Sequence, residues 1–525
     1  MPNNLIIATS TSGFYKGFNT TVAIAPKIFV FALLAWAIIY ADAAEVLKII
    51  QAWTTSAFGS WYMWSVTFFT ACILFLAINP ATGRVKLGSA TDRPEFSRFS
   101  WFAMMFGAGI GIGMLTYSTA EPIYHFTNNP DVMLGAAKAQ SAENVRYAFK
   151  WSLFHWGFSA WGIYAVLGIV LGYFSYNKGL PLTIRSGLYP LFGKAVAGPL
   201  GHIVDIVAIL ATIIGVAVTI GLGVLQLTSG IFNISGAQWL MNDSGSPSFI
   251  AQILALAIIL IASTFSALSG LKKGIKWLSN INMGLTVFLL FFFVAFGALA
   301  FSIQSFGLAI WDYLLAIPAM SLTVWESSSS PNLAQWQSDW TIFYWAWWVA
   351  FAPFVGLFLA RVSKGRTIRE YVVGAMIVPS LTCLTWFTLV GGTALDLELS
   401  GVANGSIINV AESSQLFATI NLMLSPLLAK AMSLVVVVLL LTYLITSVDS
   451  AILIVTTLAS AGKQQHKSGK HIIIWALLFA AVIAALLFAG GMGALRSAMI
   501  IGALPFSFVM LLLMISLLKS LVFKR

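Results

Sequence analysis

Between residues 340 and 356 the chain reads WTIFYWAWWVAFAPFVG, an uncharged stretch that holds Trp340, Trp345, Trp347 and Trp348 around Pro353. On a helix advancing about 100° per residue, Trp340, Tyr344, Trp347, Trp348 and Phe351 share one face. Ring faces attract cations, most strongly once water is excluded, so this stripe suits a methylated ammonium group that has no proton to donate. Rings serving as headgroup anchors would cluster at the ends of a span, whereas these run through its middle. A second unusual run, GAGIGIG from Gly107 to Gly113, sets glycines at alternate positions. Each destabilises a helix by about 1 kcal/mol relative to alanine, so the backbone is expected to unwind there. Unwound backbone at membrane depth is tolerated where it lines a cavity or is covered by protein. Close helix packing through small residues is the competing reading. No strand precedes the run, which excludes a nucleotide-binding glycine loop.

Such groups need membrane-spanning helices to position them. The 525-residue chain is 59% hydrophobic and 9% charged, against about 25% charged in an ordinary soluble domain. Apolar stretches of about 20 residues recur from Lys27 onward, and twelve can be counted. The expected fold class is therefore an all-α polytopic membrane protein with 12 transmembrane helices. The first 20 residues are polar and offer no apolar core for a signal peptide. Basic residues cluster in alternate loops: Arg84, Lys86, Arg93 and Arg98; Lys178, Arg185 and Lys194; Lys272, Lys273 and Lys276; Arg361, Lys364, Arg366 and Arg369; Lys463, Lys467 and Lys470; then Lys519, Lys524 and Arg525. Residues 232–246 and 304–339 carry no Lys or Arg. Both termini are thus expected in the cytoplasm. Topology also accounts for the net charge of +11, so the lipid bilayer is the implied partner and no nucleic acid is needed.

The glycine-rich third span and the eighth, expected to break at Pro353, lie five crossings apart. Equivalent helices then have opposite orientations, which points to an inverted-repeat transporter with its site at the bilayer midplane. The expected division is a cytoplasmic segment at 1–26, peripheral helices one and two at 27–98, a first five-helix repeat at 99–303, an extracellular linker at 304–339, a second repeat at 340–518 and a short cytoplasmic end at 519–525. Cys72 and Cys383 fall inside predicted spans and suggest neither a disulfide nor a metal site. The five histidines show no ligand spacing, and only His155 is expected within a span.

The segments GAGIGIGMLTYSTAEP, FHWGFSAWGIY, WTIFYWAWWVAFAPFVGLFLARVSKGRTIRE and LITSVDSA, in this order from about Arg93 to Ser460, closely resemble the betaine/choline/carnitine transporter family. The resemblance implies two inverted five-helix repeats of the LeuT-like fold preceded by two extra helices, residence in the plasma (inner) membrane, and a homotrimer as the assembly to test. It also implies import of small zwitterions or cations bearing trimethylammonium or similar groups. Carried onto this chain, the aromatic box comprises Trp156, Trp161 and Tyr164 with Trp347 and Trp348, and Phe343 resembles a ring lining the path. The box offers ring faces and no formal negative charge. Where the family commonly has another tryptophan, this chain has Phe351. Losing that indole N–H leaves the substrate's anionic end to the unwound amides of Gly109 to Gly113, Gly109 and Gly111 among them, or to water. Glycine betaine stands first, with carnitine, choline, trimethylamine N-oxide and dimethylsulfoniopropionate as alternatives.

The resemblance implies sodium as the coupling ion and no further cofactor. Thr446 and Ser447 match sodium-ligating hydroxyls, with Gly107, Ile110 and Tyr443 as carbonyl donors, in keeping with the ion's preference for hard oxygens. Read alone, Thr446 and Ser447 would bond back to their own helix. Sodium-independent relatives carry a fixed cation, but residues 205–230 contain no Lys or Arg. A second sodium site implied by the family lacks one of its two threonines, since Thr212 is followed one turn later by Val216. Proton coupling through Asp449 and Glu121 is the alternative. An enzyme would need a clustered catalytic set, and His155, Asp205 and Asp449 are not spaced as one; a channel would show charge rings or a filter repeat. The termini hold few charges, so a charged-tail osmosensor is not expected.

Overall fold

The computed structural model describes residues 5–109, 111–269, 276–463 and 469–523. Among them the chain is helical throughout, with no named strand and only two isolated bridges. The principal helices are α1 (Thr20–Ile39), α2 (Ala43–Ile78), α3 (Arg98–Gly109), α4 (Ile112–Thr127), α5 (Asn144–Trp156), α6 (Phe158–Gly172), α7 (Pro199–Ser235), α8 (Phe249–Ser269), α9 (Lys276–Phe296), α10 (Leu299–Leu322), α11 (Phe343–Val362), α12 (Glu412–Met423), α13 (Pro426–Ala459) and α14 (Gly469–Leu521). A further helical run covers Ile368–Leu399, and among the described residues eleven helices are long and apolar enough to cross a membrane.

That number differs from the expected twelve for local reasons. The third predicted span is two pieces, α3 and α4, each too short to count alone. Between them Gly111 is extended (φ −174°, ψ −119°). Conversely, α14 runs for 53 residues but breaks at Gly490 and Gly491, where Gly491 has φ +62°. A straight helix of that length would reach about 80 Å, more than twice a hydrocarbon core of about 30 Å. Helix α10, 24 residues long, occupies much of the segment expected as linker. Helix α1 begins seven residues before Lys27, whose ammonium lies 5.1 Å from both the Tyr15 and Trp475 rings. Of the basic loop residues, Lys272, Lys273, Lys467, Lys524 and Arg525 fall outside the described residues.

The expected break at Pro353 does not occur. Helix α11 continues through this residue, which is buried. A proline removes one helical hydrogen bond, and the packing of α11 along α6 and α7 supplies support that the isolated sequence lacks. The irregular turn lies earlier, as a π-helical segment at Ser338–Ile342. A break absent from the sequence reading appears instead at Gly157 (φ −92°, ψ −143°), which separates α5 from α6. Helix α4 packs against α5, α7 and α12, and α11 lies along α6 and α7. The glycine break, the Gly157 break and the tryptophan face therefore meet in one place.

Candidate binding site: an aromatic cage between two broken helices

Trp156, Trp161 and Tyr164 come from the two sides of the Gly157 break, and Trp347 and Trp348 from α11. All five are buried, none more than 4% exposed. Trp347 and Trp348 stack at 5.6 Å with an 11° interplanar angle. Trp156 meets Trp348 edge-on at 5.0 Å, Tyr164 meets it at 5.6 Å, and Trp161 abuts Tyr164 at 5.7 Å. A cation held between opposed rings lies up to about 6 Å from each centroid, so these separations describe a cage closed on itself. Phe343 lies against Trp347 at 5.6 Å, tilted by 36°. Phe351 belongs elsewhere: its ring partner is Phe354, at 4.9 Å, and no cage ring pairs with it among the described residues.

The indole N–H groups fix the cage. Trp161 Nε1 donates to the carbonyl of Trp156 (3.1 Å) and Trp348 Nε1 to that of His155 (3.0 Å), carbonyls released by the Gly157 break. On the other side of the break, the Phe158 amide donates to the Tyr313 hydroxyl at 2.8 Å. Trp347 Nε1 donates to Thr219 Oγ1 at 3.1 Å. Among the glycines, Gly113 is the one that admits the rings, since a methyl there would lie 2.9 Å from Trp347 and 3.0 Å from Trp156. Gly111 instead faces the Tyr443 ring, 3.3 Å from where its methyl would be. Gly109 closes α3.

Behind the rings lies a carboxylate that was considered in the sequence only as a proton carrier. Glu121 is fully buried. Its Oε2 accepts from Trp156 Nε1 (2.7 Å) and the Tyr344 hydroxyl (2.6 Å). Its Oε1 faces His155 Nδ1 and, at 3.2 Å, His125 Nε2. His155 Nε2 pairs with Thr341 Oγ1 at 3.0 Å, so with His155 protonated on Nδ1 and His125 on Nε2 all four groups donate to an ionised carboxylate. Two of the five histidines, His125 and His155, are thus clustered after all. One ligand atom from each of the three residues lies within 4.8 Å of the others, close enough to share an ion, yet each carboxylate oxygen already accepts two hydrogen bonds, as in a positioning hub. The Glu121–His125 spacing of one helical turn in STAEPIYH was the available signal; His155 is distant in sequence. The expectation of a box without formal negative charge applies to its walls and not to the layer behind them.

Tyr443, Thr446 and Ser447 lie on α13, with the Tyr443 ring against Gly111, while Gly107 lies in the last turn of α3 and Ile110 falls outside the described residues. Thr446 Oγ1 reaches the carbonyls of Thr442 (3.0 Å) and Tyr443 (3.1 Å) on its own helix, the local alternative noted above. It also accepts from Asn282 Nδ2 at 3.1 Å. Asn282 Oδ1, buried and without a partner among the described residues, is a further hard oxygen here that sequence reading missed. Asp449 is tied by the hydroxyls of Ser266 and Ser450, and Asp205 pairs with Arg185 at 2.6 Å. Thr212 bonds the Ala208 carbonyl at 2.8 Å.

A cavity of about 920 Å³ extends over the cage, lined by α2 from Lys48 to Ser60, by residues 324–343, and by Glu412 and Arg496. Phe343 belongs to its wall, so one ring separates the cavity from Trp347.

The sequence model described as the betaine/carnitine/choline family transporter matches residues 21–524. The glycine betaine transporter OpuD of Bacillus subtilis is 36% identical over 491 residues, 93% of this chain and 92% of that protein. The high-affinity choline transport protein of Escherichia coli K12 is 38% identical over 89% of this chain and 67% of its own length. A glycine betaine transporter of Acinetobacter baylyi is 35% identical over 98% of this chain and 75% of its own. These relatives are transporters and not enzymes. Likeness of that extent covers both broken helices and every wall of the cage, and the chain belongs to the betaine/carnitine/choline family of transporters.

Proposed function

We propose that the protein is a secondary active importer of a small methylated ammonium compound of the glycine betaine type, coupled to sodium and working by alternating access around the aromatic cage. The observation that carries this reading is the closure of five buried rings, from α5, α6 and α11, around a site that no side-chain charge enters among the described residues. Substrates named for the relatives, glycine betaine and choline, fit such a site, and carnitine, trimethylamine N-oxide and dimethylsulfoniopropionate share its chemistry. Oxygens of Thr446, Ser447, Tyr443, Gly107 and Ile110 are assigned to sodium, with Asn282 added.

Twelve crossings follow if the pair α3–α4 counts as one, α14 as two and α10 as a surface helix. The LeuT-like inverted repeats, spans three to seven and eight to twelve, then stand on the family's fold, since Pro353 no longer marks the symmetric break. Helices α2 and α11 both lead from the cavity toward basic loops, Arg84 to Arg98 and Arg361 to Arg369, so by charge the cavity opens outward and both termini lie in the cytoplasm of an inner-membrane protein. A homotrimer is the assembly to test.

A competition panel of methylated ammonium and sulfonium compounds against labelled glycine betaine, in proteoliposomes with sodium or potassium, tests the reading. Accumulation driven by a sodium gradient and competed by trimethylammonium compounds is the expected result; no accumulation of any onium compound would sink it. One observation favours protons instead, the carboxylate of Glu121 held between two histidines. Uptake that ignores sodium and follows a pH gradient would select that alternative.

A further inference from the structure

The cavity above the cage holds three carboxylates, Glu326, Asp339 and Glu412, and two cationic side chains, Lys48 and Arg496. Carboxylates in such a vestibule gather any cation. Of the charges lining this cavity, Arg496 is the one that lies over a ring. It lies on α14 just after the Gly490–Gly491 break, and its guanidinium carbon sits 4.9 Å above the centre of the Phe343 ring, which lies tilted against Trp347 at 5.6 Å. Nη2 donates to the Tyr117 hydroxyl at 2.7 Å and to Glu412 Oε2 at 3.1 Å. The Tyr117 ring in turn meets Trp347 at 6.0 Å and Trp156 at 6.2 Å. Glu412 stands on the solvent side of this pair, with its side chain 41% exposed against 29% for Arg496. Arg496 Nε has no hydrogen-bond partner among the described residues.

We infer that Arg496 makes this site prefer net-neutral onium zwitterions over onium cations. The inference rests on the proposed function and adds to it the charge class of the substrate. A compound such as choline brings its uncompensated charge toward the guanidinium across one phenyl ring. A betaine brings a carboxylate as well, which offsets that repulsion and is an acceptor for the free Nε–H. A unit charge about 10 Å from another, at an effective dielectric constant of about 20, changes binding roughly tenfold. The phenyl and phenol between Arg496 and the cage exclude water and keep the effective dielectric low.

A purely structural arginine, tying α4, α12 and α14 together, would weaken all ligands alike when replaced. The readout is therefore a ratio: Kd for choline divided by Kd for glycine betaine, from intrinsic tryptophan fluorescence of the purified full-length protein. In Arg496→Gln the ratio is expected to fall at least fivefold, and in Arg496→Lys to stay within about twofold of wild type. Glu412→Gln, at a half-exposed position that folding should tolerate, unmasks the guanidinium and is expected to raise the ratio; this variant decides the matter if Arg496→Gln does not fold. An unchanged ratio in Arg496→Gln, or a ratio that falls in Glu412→Gln, overturns the assignment. A wild-type protein that binds neither compound overturns the proposed function itself, and this inference with it.

Discussion

Replacing Glu121 separates two roles that this carboxylate combines. In Glu121→Ala the four donors that converge on it, from Trp156, Tyr344, His155 and His125, lose their acceptor. A buried donor left without a partner costs about 1–3 kcal/mol. Four of them cost as much as the whole stability of an ordinary domain, about 5–15 kcal/mol. This variant is expected to fail to accumulate as folded protein. In Glu121→Gln the amide oxygen keeps Trp156 and Tyr344, and the amide NH₂ can donate to both histidines if each changes tautomer. His155 then donates to Thr341, and only the His125 Nδ1–H is orphaned. The protein should fold, with a stability loss of about 1–3 kcal/mol, but the negative charge behind the cage is gone. A cation on the Trp156 ring lies about 6 Å from its centre, which places it about 9 Å from the carboxylate. At an effective dielectric constant of about 20 their attraction is about 1.8 kcal/mol, or about twentyfold in Kd. Fluorescence titration of the purified variant with glycine betaine, beside a thermal melt, measures both quantities. If Glu121→Gln binds glycine betaine within twofold of wild type, the carboxylate is not a counter-charge; if Glu121→Ala melts like wild type, it is not a hub.

Trp348→Ala is expected to abolish high-affinity uptake because it removes a cage wall, and near-normal uptake affinity would defeat the cage. Thr446→Ala combined with Ser447→Ala should raise the sodium concentration needed for half-maximal uptake about tenfold or more, as expected when a site loses two ligands each worth about 1 kcal/mol; an unchanged sodium dependence would show that the ion binds elsewhere. Gly113→Ala crowds two indoles whose N–H groups are anchored, so overpacking of about 1–3 kcal/mol should appear as a lower melting temperature. Adding Trp347→Phe, which deletes the clashing edge, should recover part of it, and a double variant less stable than the sum of the two singles would contradict the steric account.

Much of this was legible in the sequence because it is periodic or compositional. The ring stripe follows from spacing alone, and Trp347 and Trp348 are where the stripe puts them. The glycine run does unwind, at Gly111. Pro353 misled because a single missing hydrogen bond says nothing about the packing that supports its neighbours. Gly157 escaped notice because one glycine among aromatic residues carries no local signature; its break depends on Trp161, Trp348 and Tyr313 satisfying the exposed backbone. The Glu121 cluster was half visible, as a one-turn pair with His125, but His155 enters it through tertiary packing. Phe351 stands where the resemblance implies a further tryptophan, and its ring pairs with Phe354, a neighbour that spacing along the stripe does not announce. Arg496 lies far along the chain from every motif, and only the fold brings it to Phe343.

The hydrogen bonds at the Gly157 break bear on how such a protein can change over generations. Trp161 and Trp348 present ring faces to the site and, through the same indoles, plug the carbonyls of Trp156 and His155. A drift from tryptophan to phenylalanine at either position would keep an aromatic face but uncork a buried carbonyl, a loss of about 1–3 kcal/mol unrelated to the substrate. Descendants of this chain are therefore held to indoles there by backbone chemistry rather than by diet. New substrate preferences have a freer route through the vestibule, where Arg496 and Glu412 can be exchanged without opening a helix.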